Sequence, residues 1–424
     1  MKKSLFLSAL AVLAVGCGCN GGSTSSGEST GTTGATTGTT TSGGTTGGAT
    51  ALVGRDAPTA PGNTADGDTI KVGLIASLNG EQQPWGLDSK NGAQLAVDEI
   101  NAAGGINGKK VDLIVEDTGS KPEGGKSATE KLVSEDKVVC VLGEVASGIT
   151  LPAAQVCQEA GVPLIAIGAT RVDVTQQGGA IFRVCYTDDF QGAAMAKFAY
   201  EDLKLRNVAI LTDRKLPYST GLSDVFTKAF TKLGGKIATE EKYESGNIDF
   251  KAQLTNIKAK NPDGLFCSGY FTEVGPIARQ RQALGLNVPM FGGDGWDSKD
   301  LLNSGGDGII NGYFANHYHK SENRPEVKKF VDDYKAKFGS DAGTAMAALS
   351  YDAANVCFDS LKRSKALDSK SLIEAIGGTK DFKGVSGSIT IGPDGNAQKP
   401  TLVLKVEKDG FVPFKTIPYF EFKG

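Results

Sequence analysis

From residue 69 onward the chain alternates short, nearly continuous apolar runs with longer segments whose apolar residues recur at helical spacing. That rhythm leaves few folds open. IKVGLIASL (70–78) is apolar at almost every place, as a strand covered on both faces must be. NGAQLAVDEINAAGG (91–105) follows, with Ala93, Leu95, Ala96, Val97 and Ile100 at helical spacing and a glycine stop. The pattern repeats through VDLIVED, ATEKLVSED, VVCVLG, LPAAQVCQEAG and VPLIAIGA, which ends at residue 169. Strands alternating with helices of this length form an α/β fold with a parallel, doubly wound sheet and right-handed crossovers.

The rhythm restarts at NVAILTD (207–213) and runs through KIATEEKYE, GLFCSGY, VPMFGGDGW and GYFANHYH. Two successive sets of βα units predict two similar lobes, joined by strands that cross between them. The helical segments 325–339 and 344–364 are expected to return to the first lobe. The expected division is 69–188 plus 315–395 for lobe 1 and 189–314 plus 396–424 for lobe 2. Near the end, PDGN and KDG sit between β-rich runs and predict hairpins.

The N-terminus has a different character. Lys2 and Lys3 precede an apolar run from Leu5 to Val15, the pattern of a secretory signal too short to anchor a chain across a bilayer. Residues 1–16 are therefore expected to be a signal peptide. Ala14-Val15-Gly16-Cys17 resembles a bacterial lipobox, in which the cysteine is lipidated; Ala14 stands where the pattern prefers leucine. Residues 17–68 then follow as a linker: 27 of the 30 residues from 21 to 50 are Gly, Ser or Thr. Such a stretch cannot bury apolar surface and suits a flexible tether. The expected location is the outer face of a membrane, periplasmic or extracellular, held by lipid.

Charge and cysteine content narrow the classes further. The net charge is −3 with 22% charged residues, so no basic face points to nucleic acid. Cysteines 140, 157, 185, 267 and 357 include no C-x-x-C pair, and no pairing among them follows from the sequence. The only histidines are His317 and His319. On a strand they would share a face, as in some metal sites, but no third ligand is evident and no cofactor is expected. Ser386 in GVSGS lacks the spacing of a nucleophile elbow, so no enzyme activity is expected.

In open α/β sheets ligands bind beyond the carboxyl ends of the strands. The segments there are rich in hydroxyls, glycines and acids: 79–85, 143–150, 168–170, 213–218, 269–273 and 292–296. VLGEVASGITLPAA (141–154) reads as a strand entering a helix through small residues. A helix start offers unpaired N–H groups and a partial positive charge, which suits a carboxylate. Ser147 could serve there as a ligand contact or as a plain N-cap.

The order of IKVGLIASLNG, GAQLAVDEINAAGGINGKKV, LVSEDKVVCVLGEVASG, GVPLIAIGAT, IFRVCYTDDFQG, VAILTD, DGLFCSGY and FGGDGW resembles the periplasmic leucine/isoleucine/valine-binding proteins. These are type I solute-binding proteins of ABC importers. The resemblance runs from about residue 70 to the C-terminus. It implies that Ser147, Thr170 and the backbone at Gly168 and Ala169 hold a ligand carboxylate. It also implies that Asp294 and Tyr270 hold the ammonium, with Asp where the family typically has Glu. Tyr218 matches a cleft tyrosine, and Trp85 matches an aromatic against the ligand side chain or else belongs to the core. The implied function is capture of a branched-chain or similar amino acid by a monomer and delivery to a permease. Two alternatives are a tethered sensory domain and a binder of an amide, urea-like or aromatic acid solute.

Overall fold

The computed structural model describes residues 55–424. The signal peptide, Cys17 and the Gly/Ser/Thr-rich stretch up to residue 54 lie outside the described residues. Among the described residues, no helix is long and apolar enough to cross a membrane.

The first sheet is built from β1 (Thr69–Ala76), β2 (Lys110–Asp117), β3 (Cys140–Leu142), β4 (Leu164–Ala166) and β5 (Ile181–Arg183), in the order β2-β1-β3-β4-β5. Every pairing in it is parallel. Its connections are α1 (Gln83–Ala102), α2 (Pro122–Ser134) and α3 (Ser147–Ala160). Proline sits in the first turn of α1 and α2, where a missing N–H costs nothing and the fixed φ favours the helix. α3 stops at Gly161, whose φ of 70° only glycine adopts freely.

The chain leaves this sheet after β5 and enters α4 (Asp188–Lys197), which packs on α5 (Pro217–Lys232). The second sheet contains β6 (Asn207–Asp213), β7 (Lys236–Tyr243), β8 (Gly264–Cys267), β9 (Met290–Gly292) and β10 (Tyr313–Asn316). Between these strands run α5, α6 (Lys251–Ala259), α7 (Phe271–Ala283) and α8 (Lys299–Gly305). Phe226 of α5 stacks on Phe266 of β8 with ring centroids 4.0 Å apart, a buried aromatic centre for this lobe.

The chain then returns. Segments α9 (Pro325–Phe338), α10 (Met346–Arg363) and α11 (Ser369–Gly377) follow β10, and α10 lies along α1 of the first lobe. A short hairpin of β11 (Phe382–Gly384) and β12 (Gly387–Ile389) precedes the third crossing. β13 (Thr401–Glu407) and β14 (Gly410–Ile417) complete the second sheet.

Three details differ from the sequence expectations. The second sheet is not purely parallel: its order is β14-β13-β10-β9-β8-β6-β7, and β13 and β14 run antiparallel at one edge. Lys408 and Asp409 make the tight turn between Glu407 and Gly410, a connection that only antiparallel neighbours can use. The boundary drawn between 314 and 315 falls inside β10, because ladder pairing with β13 continues to Asn316. The PDGN turn is closed by a single bridge between Ile391 and Ala397 rather than a long ladder. All five cysteines of the described part are buried with free thiols.

The return of α10 to α1 depends on small residues. A Cβ on Gly92 would stand 2.0 Å from the carbonyl oxygen of Ala347, a backbone atom that cannot rotate away. Gly92→Ala is expected to cost about 1–3 kcal/mol, the usual price of overpacking. Gly67→Ala, where nothing lies within 4 Å, should stay within about 0.5 kcal/mol of wild type. Urea unfolding of both variants checks this; equal stabilities would contradict the close-approach account.

Candidate functional site: a closed cleft between the lobes

The carboxyl ends of β1, β3 and β4 face those of β6, β8 and β9. On the first-lobe side, α3 starts with Ser147, and its N-cap is Ala146 in an extended conformation. Ser147 is therefore the first helical residue, not the cap. Its Oγ accepts a long hydrogen bond from the Arg171 N–H at 3.4 Å, which ties the helix start to the loop after β4.

The turn before α3 is not wholly bare. Glu144, fully buried, accepts the N–H groups of Val145 and Ala146, both at 2.8 Å, on its Oε2. Its Oε1 accepts from the hydroxyls of Ser77 at 2.5 Å and Thr118 at 3.2 Å. Burial pushes this carboxyl up, while these four donors pull it back. The chain's own acid thus takes two of the donors that the sequence suggested for a ligand. The next N–H groups, of Ser147 and Gly148, are the ones left at the helix start.

The loop after β4 carries Gly168, Ala169 and Thr170. Arg183, fully buried, donates to the carbonyls of Ala169 and Arg171, each at 2.6 Å. The Cys185 thiol also reaches Ala169 O at 3.4 Å. The Ala169 carbonyl is thereby committed to the protein. Thr170 is buried; its Oγ1 makes no well-formed hydrogen bond but stands close enough to the Asp188 carboxyl to favour its ionised form. A hydroxyl so loosely engaged in a dry site can turn to a ligand atom.

On the second-lobe side, Pro217 opens α5 and sets Tyr218 in its first turn. Tyr270 caps α7, and Asp294 begins a 3₁₀ turn, Asp294–Trp296, just after β9. Asp294 is 4% exposed. Its Oδ1 accepts the Tyr218 hydroxyl at 2.9 Å, and its Oδ2 meets His317 Nε2 at 2.8 Å. The Tyr218 and Tyr270 rings stack at 5.2 Å.

Trp85 joins the two sides. It lies in the first turn of α1 and is 1% exposed. Its indole N–H donates to Asp297 O at 2.7 Å, and its ring meets Tyr270 edge-on at 4.9 Å and Phe271 at 5.1 Å. Trp85 is packed like a core residue and also lines the cleft. Arg171 adds a second bridge, donating to Pro217 O at 2.7 Å. The lobes therefore stand closed on one another.

The cleft between them encloses about 220 Å³, its opening included, and is lined by Trp85, Gly168, Tyr218, Tyr270 and Asp294 together with Val145, Gly295 and Met346. Ser147, Ala169 and Thr170, from the α3 start and the β4 loop, are not among its lining residues. A larger groove of about 1200 Å³, open solvent included, runs past Asp297, His319 and Phe330. Neither space has a lining residue with a buried, unpartnered polar side-chain atom. The smaller one is favoured because it brings a buried acid and two tyrosines of one lobe, Asp294, Tyr218 and Tyr270, against Trp85 and Gly168 of the other.

Two residues escaped the sequence reading. Asp188, the first residue of α4, is buried, with Gln191 Nε2 on its Oδ1 at 3.2 Å. Burial first, and then the charge of Asp294, push its carboxyl up to about 8. In the sequence it resembled any acid favoured at a helix start. His317 was weighed only as a metal ligand beside His319. The two rings go to different partners: His317 to Asp294, and His319 to Ser321 Oγ at 2.8 Å and Phe411 O at 3.1 Å. Glu273 turns from the cleft and accepts Gly246 N–H at 2.9 Å.

Residues 69–410 match the family model of periplasmic binding proteins. The chain is 33% identical over 337 residues to the Leu/Ile/Val-binding protein BraC3 of Rhizobium johnstonii, covering 79% of this chain and 90% of the relative. The solved leucine binding protein LivK of Thermotoga maritima is 35% identical with a TM-score of 0.79, over 82% of this chain and 99% of that one. The branched-chain amino acid transporter substrate binding protein LivJ of Streptococcus pneumoniae, solved in complex with isoleucine, is 32% identical with a TM-score of 0.76, over 81% and 99%. The chain belongs to the periplasmic leucine/isoleucine/valine-binding protein family, the type I solute-binding proteins of ABC transporters.

Proposed function

We propose that this protein is an extracytoplasmic lipoprotein that captures an α-amino acid with an apolar side chain and delivers it to an ABC permease. The observation that carries this reading is a pair of facing polar ends in one closed cleft. The α3 start with Ser147 and the loop with Thr170 offer neutral donors; Asp294 and Asp188 offer buried acids. Such a pair fits a zwitterion in one orientation. Between the ends, Trp85, Val145, Tyr270 and Met346 offer apolar surface to the side chain.

Closure follows from the same geometry. A ligand touching both lobes favours the state in which both contacts exist. Water leaves, and each charge-assisted hydrogen bond then contributes about 1.5–3 kcal/mol. Nothing in the cleft pairs a nucleophile with a base. Ser386, 3% exposed, has its hydroxyl fixed between Asp352 and Lys399, each at 2.6 Å.

Tethering rests on the sequence at Cys17. Cys17→Ser is expected to release the protein from membranes into the soluble fraction. Equal membrane retention of wild type and variant on fractionation would remove the lipid anchor from this reading.

The acid at Asp294 carries the ammonium, so Asp294→Ala should weaken amino-acid binding well over tenfold, on the scale of about 1.4 kcal/mol per decade. Asp294→Asn, which keeps the shape and loses the charge, should be nearly as harmful. Ser147→Ala should cost less because the backbone donors remain. Calorimetry with amino acids, their deaminated acids, short amides and benzoate decides: deaminated acids binding as well as amino acids would overturn the ligand class.

Proton uptake and release give a further check. With its carboxyl held up at about 8 by burial and by Asp294, Asp188 is mostly protonated at pH 7. An arriving ammonium favours the ionised form and lowers that value, so binding should release a proton. Affinity should accordingly tighten as pH rises from about 6 to about 8. Calorimetry in buffers of different ionisation enthalpy measures the proton, and Asp188→Asn should abolish the release. The same release in that variant would exclude Asp188 as its source.

A further inference from the structure

His317 is a cleft-side group that joins the ligand acid to the hinge. It directly follows β10, on the second crossing between lobes. Its ring stacks on Tyr186, which lies on the first crossing, with centroids 3.9 Å apart and planes 22° from parallel. Its Nε2 stands 2.8 Å from Asp294 Oδ2, while Nδ1 has no protein partner. The side chain is fully buried.

These partners fix the tautomer. A carboxylate only accepts, so the proton of a neutral ring sits on Nε2 and points at Asp294. Burial pushes His317 down, and the Asp294 bond and charge oppose this only in part. Asp294 thus has two donors, the Tyr218 hydroxyl and the His317 N–H, and both are neutral. They supply the hydrogen bonds that a buried anion needs without cancelling its charge. A lysine or arginine in that place would neutralise the acid and leave a cationic ligand nothing to pair with. The charges around the ring are Asp294, which touches it, and Lys399 on the third crossing, whose field disfavours a second positive charge there.

We propose that His317 is a positioning residue for ligand capture, holding the Asp294 carboxylate aligned and uncompensated for the ligand's ammonium. It acts through Asp294, not on the ligand, and so rests on the reading of Asp294 as the ammonium partner. His317 also sets the acid's place relative to both hinge strands, since its ring bears on Tyr186.

The test is binding of L-leucine, L-isoleucine and L-valine, and of their deaminated acids, to His317→Phe and His317→Gln. Phenylalanine keeps a ring for Tyr186 and loses the donor; glutamine carries an N–H to a similar reach. His317→Phe should weaken the amino acids about tenfold or more while changing the deaminated acids by less than about threefold. His317→Gln should restore amino-acid binding to within about threefold of wild type. A purely structural role would weaken both ligand classes together, and Gln would rescue neither. Should His317→Phe fail to fold, the Gln variant decides alone: a tenfold loss in a protein of unchanged thermal stability overturns the proposal. Asp294→Ala separates the two readings. If it abolishes amino-acid binding while His317→Phe does not, only the role of His317 falls; if it has no effect, the ammonium site itself falls.

Discussion

A negative charge buried beneath neutral donors organises this cleft. Asp294 is nearly inaccessible, and its two oxygens are held by a tyrosine hydroxyl and an imidazole N–H rather than by a cation. An ion so placed is tolerable because it is hydrogen-bonded, and unsatisfied because it is not neutralised. Asp188, at the start of α4, is a second buried acid, and the charge of Asp294 raises the cost of ionising it. The fold makes this possible by bringing the ends of two sheets together, so that acids from one lobe face helix-start donors from the other.

The opposite end is built with similar economy. Glu144 takes two N–H groups and two hydroxyls for itself, which holds the turn before α3 in shape. Arg183 grips the carbonyls behind the β4 loop. Backbone dipoles and hydroxyls are the donors proposed for the ligand carboxylate, while the neighbouring Arg171 guanidinium is engaged by Asp173 and the Pro217 carbonyl. A zwitterion is then met by one neutral donor end and one anionic end, a polarity that a simple carboxylic acid would satisfy only by half.

Much of this was legible in the sequence. The alternation of period from strand to helix gives the α/β lobes because parallel strands buried on both faces need apolar runs such as IKVGLIASL. Trp85, Tyr218, Tyr270 and Asp294 lie in segments that follow strands, were singled out by the resemblance, and line the cleft. What stayed hidden depends on tertiary contact. Asp188 has the sequence character of any acid at a helix start; only the approach of Asp294 makes it unusual. His317 borders Asp294 because three crossings converge, which no local pattern encodes. Of the two readings of Ser147, ligand contact or N-cap, the cap does not hold, because Ala146 occupies that place. The antiparallel edge of the second sheet was signalled by KDG but not assigned to that sheet, since register between distant strands follows from packing.

The account turns on the buried acids selecting an amine. Mass spectrometry of the solute released when protein purified from its native host is denatured tests this most directly. The account predicts an α-amino acid with an apolar side chain, present in near-stoichiometric amount after purification without added ligand. A solute without an amine, such as an aromatic carboxylic acid, would contradict it.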